Sequence, residues 1–220
     1  HCDARHVIGI RDRQGAFAEK IALPIDGAIE VPDAISDELA VLLEPLAAAL
    51  RITTQVPIGA DDRVLVVGAG RLGILVAQVL GRLTRRLDVL VRSPGRRASF
   101  SGQPVTCVEV PVGRYDVVVE CSGNQAGFQV ACRHVRPRGT LVLKSTYAGR
   151  LDIDASPLVV DEITVVGSRC GDLRAAIDWL SNADIDLSHL TFETFSLEDH
   201  AAAFEAARRP APYKVLFAPN

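Results

Sequence analysis

The chain has 220 residues, 48% of them hydrophobic, and its 27 acidic and 24 basic side chains leave a net charge of −3. That length suits one α/β core plus part of a second domain, and so small a charge leaves no electrostatic footprint for nucleic acid. No apolar run approaches the ~18 residues of a membrane span and no signal-peptide pattern opens the chain, so no membrane partner is expected. Five cysteines, Cys2, Cys107, Cys121, Cys132 and Cys170, lack C-x-x-C spacing. They read as reduced thiols in a cytoplasmic protein.

Residues 1 to about 35 read as short strands and loops: His6-Val7-Ile8-Gly9-Ile10, Gly15-Ala16-Phe17-Ala18-Glu19 and Ile21-Ala22-Leu23-Pro24. Ser36, followed by Asp37 and Glu38, makes a capped helix start. An Ala/Leu-rich helical region then runs to about residue 55, interrupted at Glu44-Pro45. From residue 62 to about 182, strands alternate with helices, the pattern of a doubly wound parallel sheet in an α/β fold. Strands are expected at 64–67, 88–91, 105–110, 115–121, 139–143 and 163–167, with helices following the glycine turn and over 128–135 and 173–180. A strand at 191–195, a helix over 197–208 and a strand at 213–217 close the chain. There is no internal repeat.

The most informative stretch is 63–83. Val64-Leu65-Val66-Val67 leads into Gly68-Ala69-Gly70-Arg71-Leu72-Gly73, a complete G-x-G-x-x-G, and then into an apolar helical stripe of Leu72, Val76, Val79, Leu80 and Leu83. The glycines allow a tight turn, close backbone approach to a pyrophosphate and close helix–strand packing. The helix start offers N–H groups without intrahelical partners and a positive dipole end to the phosphates. Between a strand and a helix, the motif predicts a dinucleotide-binding (Rossmann) turn.

An acidic residue about 20 positions on usually grips the ribose 2′-hydroxyl of NAD, whereas arginine accommodates the 2′-phosphate of NADP. The residue leaving the expected second strand is Arg92, and Ser93, Arg96 and Arg97 follow in a loop with Pro94 and Gly95. Asp88 begins that strand and should lie too far away. Arg92 and Arg97 are therefore taken as 2′-phosphate ligands, since guanidinium pairs well with phosphate. NADP is favoured, with NAD the alternative; a merely solvated basic loop is the other reading.

At the carboxyl edge of the sheet, where ligands bind in such folds, Cys121-Ser122-Gly123 ends the fourth strand and Lys144, Ser145 and Thr146 follow the fifth. Cys121 could equally be a small buried hydrophobe. His6, His134, His189 and His200 stand singly, without H-x-x-x-H or triad spacing, and His1 is a chain end. No catalytic residue can be assigned. Tyr147 lacks the Tyr-x-x-x-Lys spacing of short-chain dehydrogenases. The chain has no methionine, which fits either a processed initiator or a chain missing its front.

Together these residues resemble the medium-chain dehydrogenase/reductase superfamily, specifically its zinc-dependent alcohol and polyol dehydrogenase-like members. The resemblance is carried by Arg5-His6-Val7-Ile8-Gly9-Ile10, Gly15-Ala16-Phe17-Ala18-Glu19, Val31-Pro32-Asp33 and Glu44-Pro45-Leu46-Ala47. Beyond the glycine turn it continues through Val135-Arg136-Pro137-Arg138-Gly139-Thr140, Glu162-Ile163-Thr164-Val165-Val166-Gly167 and Tyr213-Lys214-Val215.

The resemblance implies a β-rich, chaperonin-10-like catalytic domain split in sequence around the Rossmann domain: 1–55 as its partial front with a connecting helix, 56–185 as the dinucleotide-binding domain and 186–220 as the return. It implies that the front of the barrel, with the upstream zinc ligands, is absent. Glu44 would then be a catalytic zinc ligand and Cys2 a structural one in the parent enzyme, with no well-formed zinc site in this chain; the alternative for Glu44 is an ordinary helix-start carboxylate. The resemblance also places Gly123, Cys121, Ser122 and Ser145 on the nicotinamide side, lets Lys214 reach the cofactor phosphates (the alternative being a solvated strand-end lysine), and implies a homodimer or homotetramer built on strand 163–167. The chemistry implied is alcohol–carbonyl interconversion on a small molecule, with zinc as Lewis acid and hydride passing through nicotinamide C4. The alternatives are a zinc-free quinone-reductase-like enzyme and a non-catalytic NADP(H)-binding remnant or regulatory module.

Overall fold

The apolar runs of the sequence become strands covered on both faces. The computed structural model describes residues 2–147, 149–182, 187, 190–209 and 213–218. Contacts divide the chain into two units, Val31–Leu190 and a smaller one of His1–Glu30 with Thr191–Asn220.

The larger unit starts with α1 (Asp37–Ala40) and α2 (Leu43–Gln55). Ser36 stands at the N-cap of α1, although its side chain makes no capping bond. Pro45 falls within the first turn of α2, where a missing N–H costs least, so the expected interruption becomes a helix start. There follow β1 (Arg63–Val67), α3 (Arg71–Leu80), β2 (Arg86–Leu90), β3 (Thr106–Val108), β4 (Tyr115–Glu120), α4 (Gln125–His134), β5 (Val135–Leu143), α5 (Ser156–Val160), β6 (Thr164–Gly167) and α6 (Leu173–Asn182).

The six strands form one parallel sheet in the order β3-β2-β1-β4-β5-β6. This is the doubly wound order, which reverses between β1 and β4 and opens a crevice at their carboxyl ends. Val64, Leu65, Val66, Val118 and Val119 have no exposed surface. Such near-continuous apolar strands are what a sheet covered by helices requires. Each such side chain contributes about 1.5–3 kcal/mol through burial. Phe128 and Ala131 of α4 pack on Leu65, Val67, Tyr115, Val118 and Leu141, while α2 packs on α3 and α6.

In the smaller unit, β7 (Thr191–Phe195) and β8 (Tyr213–Phe217) pair in parallel around α7 (His200–Ala207). The Phe17 ring packs edge-on against Phe217 and Phe204, with centroids 4.9 and 6.1 Å away. The strands expected at 6–10, 15–19 and 21–24 are not formed among the described residues. Val7 and Arg11 make a single bridge, and residues 25–27 a short 3-10 turn. A strand persists only where another strand takes up its N–H and C=O groups. No described strand pairs with these segments, and Ile8, Ile10, Phe17, Ile21 and Ile25 stay exposed. His1, His189 and the 185/186 boundary lie outside the described residues.

Candidate cofactor site

The carboxyl ends of β1, β2 and β4 surround a crevice of about 340 Å³. Its floor is Val67, Gly68, Ala69 and Gly70, from the glycine turn. One wall is Leu90, Arg92, Ser93 and Arg96; the other is Cys121, Ser122, Asn124 and Gly127.

Each glycine of the turn has a distinct steric duty. Gly68 has φ +116°, and a β-carbon there would come within 2.8 Å of the Ser122 amide nitrogen. Gly73 is buried in the first turn of α3, where a β-carbon would sit 1.9 Å from the Gly68 carbonyl oxygen. Around Gly70, nothing lies within 4 Å of that position. The first and third glycines are therefore needed for the fold. The second leaves open space at the start of α3, the end of a helix where the first N–H groups have no intrahelical partner and the dipole favours an anion. Arg71 is exposed and Leu72 half-buried on the first turn of that helix.

Arg92 lines the crevice, and Arg97 does not. Its guanidinium pairs with Glu109 at 2.8 Å, and Arg96 faces the crevice in its place. Residues 94–100 form a 3-10 helix. With three residues per turn, neighbours point about 120° apart, so Arg96 and Arg97 cannot share a face. Asp88 sits at the middle of β2, paired with Leu65, rather than at its start. Its carboxylate accepts the Tyr115 hydroxyl at 2.6 Å, away from the crevice lining.

On the second wall, Glu120 ends β4 as a carboxylate with 0% exposure. Its Oε1 accepts the Ser122 N–H at 2.6 Å and the Ser122 hydroxyl at 2.5 Å, and its Oε2 accepts the Tyr147 hydroxyl. The Ser122 hydroxyl thus points into the protein, not at a ligand. Burial, then the bond to Glu120, raises the Tyr147 pKa well above the ordinary tyrosine value, so this donor stays protonated. Burial, and next the Glu120 charge, push the Cys121 thiol far up, against an opposing effect of Lys144. Cys121 is thus a neutral thiol of low reactivity. Gly123 has φ +69°, and a β-carbon there would lie 3.8 Å from the Ser145 side chain, so these two expected cofactor residues are neighbours. Lys144 turns inward: its Nζ donates to Ser168 Oγ at 3.1 Å and to the Arg169 carbonyl at 2.5 Å. Desolvation lowers its pKa to about 8.

Sequence reading missed Arg96, Glu120, Asn124, Gly127 and Tyr147. The available signal was Glu120, a carboxylate at the end of the apolar run Val117-Val118-Val119, because charged groups are rarely buried without dedicated partners.

Lys214 belongs to β8 in the smaller unit. Glu44 is exposed in the first turn of α2, and Cys2 is exposed near the start of the chain. Among the described residues no three of His, Cys, Asp and Glu gather to hold a metal, and none of the five cysteines forms a disulfide. Nor is any helix among them long and apolar enough to cross a membrane.

A family model for zinc-binding dehydrogenases matches residues 107–182. The chain is 26% identical over 231 residues to the L-threonine 3-dehydrogenase of Anaeromyxobacter sp. (strain K), covering 96% of this chain and 67% of that protein. It is 27% identical over 233 residues to the enzyme of the same name from Vibrio parahaemolyticus serotype O3:K6, with the same coverage. Among solved structures, it superposes with a TM-score of 0.84 on a protein from Sinorhizobium meliloti 1021, described as a zinc-binding dehydrogenase and bound to NADP. That pair shares 24% identity and covers 99% of this chain and 70% of the other. A second neighbour, described as a short chain alcohol dehydrogenase from Escherichia coli CFT073 and complexed with NADH, gives 0.79 at 24% identity, covering 93% of this chain and 65% of that one. These structural likenesses establish the fold. The chain spans about two thirds of the length of the relatives it matches.

Proposed function

We propose that the chain is an alcohol dehydrogenase-like oxidoreductase of the medium-chain dehydrogenase/reductase superfamily that transfers hydride between NADP(H) and a small alcohol or carbonyl compound. The observation that carries the cofactor reading is the crevice itself. Open space above Gly70 meets the start of α3 on one side, and Arg92, Ser93 and Arg96 line another, with no carboxylate among the lining residues.

The chain's own groups divide the work. The turn at 68–70 and the first amides of α3 receive the pyrophosphate. Arg92 and Arg96 take the 2′-phosphate, with Ser93 beside them. The loop Cys121-Ser122-Gly123 and Ser145 bound the half of the site that follows β4 and β5, where the second nucleotide lies in a doubly wound sheet. NADP(H), when bound, supplies the hydride acceptor or donor at nicotinamide C4. Zinc assistance belongs to the family description, yet the described residues do not fit a zinc site, because Glu44 stands without two further ligands.

Two further elements complete the reading. Residues 1–55 and 186–220 serve as the catalytic-domain portion of the chain and 56–185 as its nucleotide-binding portion. The edge strand β6, with Val165 44% exposed, pairs with its twin in a homodimer or homotetramer, which would hide an open strand edge. Five free thiols favour the cytoplasm. The test is a fluorescence titration of the chain with NADPH and NADH side by side, repeated with Arg92→Ala. Tighter NADPH binding that the substitution removes supports the reading. A folded chain that binds neither nucleotide overturns it.

A further inference from the structure

Among the described residues, Glu120 is the fully buried carboxylate, and it lies directly behind the crevice wall. An isolated buried charge is expensive. Here both oxygens are satisfied, and their donors come from two separate segments. Ser122 stands two residues on, in the loop after β4, and Tyr147 stands 27 on, beyond β5. The backbone repeats the link: the Lys144 N–H donates to the Glu120 carbonyl at 3.0 Å, and the Ser145 hydroxyl reaches the same oxygen at 3.5 Å. Space for the arrangement is reserved by Gly127, where a β-carbon would fall 1.9 Å from Ser122 Oγ and 3.2 Å from Glu120 Oε1. Asn124 caps α4 by accepting the Gly127 N–H at 2.9 Å, which holds that glycine in place.

We propose that Glu120 is a positioning residue that ties the loop after β4 to the segment after β5 and so pre-sets the wall receiving the nicotinamide mononucleotide half of the cofactor. It touches no ligand itself. The inference rests on the cofactor reading above and names a residue which that reading does not use. In a doubly wound sheet the β1–β3 half handles one nucleotide and the β4–β6 half the other. A tether confined to β4 and β5 therefore acts on one half of the dinucleotide only. Holding both loops in their bound form lowers the ordering cost of binding that half.

Two probes separate the halves: NADPH, and adenosine 2′,5′-bisphosphate, which lacks the nicotinamide mononucleotide portion. Their affinities are measured by calorimetry for the wild-type chain, Glu120→Gln and Tyr147→Phe, each verified as folded by circular dichroism and thermal unfolding. The tether predicts that both variants bind the bisphosphate within about twofold of wild type and lose roughly tenfold for NADPH, the size expected for broken charge-assisted hydrogen bonds. Equal loss for both probes would mark Glu120 as a general support of the fold and overturn the proposal; so would no loss for either. If Glu120→Gln fails to fold, Tyr147→Phe decides alone, since it removes one arm and leaves the carboxylate in place. A folded wild-type chain that takes up neither probe overturns the cofactor reading and the tether with it. One that binds the bisphosphate and NADPH equally well retains the adenosine site and overturns only the tether.

Discussion

Gly73 sits so close to Gly68 that a β-carbon on it would lie 1.9 Å from the Gly68 carbonyl oxygen. The backbone would have to move, because a carbonyl cannot swing aside as a flexible side chain does. Gly73→Ala should therefore destabilise the nucleotide unit by about 3 kcal/mol, lowering its Tm by roughly 6–12 °C. Gly70→Ala meets nothing within 4 Å and should unfold like wild type, yet its methyl group occupies the space left for the pyrophosphate. Thermal unfolding and NADPH titration of the two variants should thus give opposite results: a fold defect without Gly73, and a binding defect without Gly70. A Gly73→Ala chain as stable as wild type would contradict this geometry.

The arginines separate in the same manner. Arg96→Ala should weaken NADPH binding by about 10- to 100-fold, the range for losing charge-assisted bonds to phosphate, and leave NADH binding unchanged. Arg97→Ala breaks only the exposed pair with Glu109, and such pairs contribute little, so both nucleotides should bind as before. Side-by-side titration of the two variants checks the assignment; nucleotide discrimination lost with Arg97 rather than Arg96 would reverse it.

Stability should pass through a maximum near pH 9. Lys144 is pushed down from 10.5 to about 8, chiefly by burial. Above pH 8 the folded chain has released a proton that the unfolded chain still holds, so stability rises with pH. The thiols of Cys121, Cys107 and Cys132 are shifted the other way from 9.0 by burial, and Tyr115 is raised from 10.0 to about 12. Above pH 9, and further above 10, the folded chain holds the extra protons and stability falls. Denaturant midpoints between pH 7 and 11, under reducing conditions, would show the rise and fall. Lys144→Met should flatten the rise between pH 8 and 9 and leave the later fall.

The edge strand offers an assembly test. Val165→Lys places a charge on β6, a common way of blocking edge-to-edge pairing. Sedimentation should show association by the wild-type chain and a monomer for the variant, with NADPH affinity unchanged. If the variant associates like wild type, β6 is not the interface.

How much of this was legible beforehand depended on whether the deciding force was local. Val64-Leu65-Val66-Val67 and the three glycines carry strand, turn and helix within a dozen residues, so both the sheet and the crevice floor could be read directly. The segments at 6–10, 15–19 and 21–24 have strand-like composition. A strand, however, is fixed by its neighbour's hydrogen bonds, and that information is not local. The choice between Arg96 and Arg97 turned on the rotation of a short 3-10 helix, which composition does not encode. Glu120 was visible as an oddity, a charge closing an apolar strand, but its partner Tyr147 is brought to it only by the β4–β5 pairing.

The crevice walls come from stretches well apart in the chain, around residues 92–96 and 121–127, and they meet only because the strand order reverses between β1 and β4. A replacement on the first wall need not disturb the second. On the proposed reading, coenzyme preference can therefore be altered by exchanges on the first wall alone, while the wall assigned to the nicotinamide half keeps its shape.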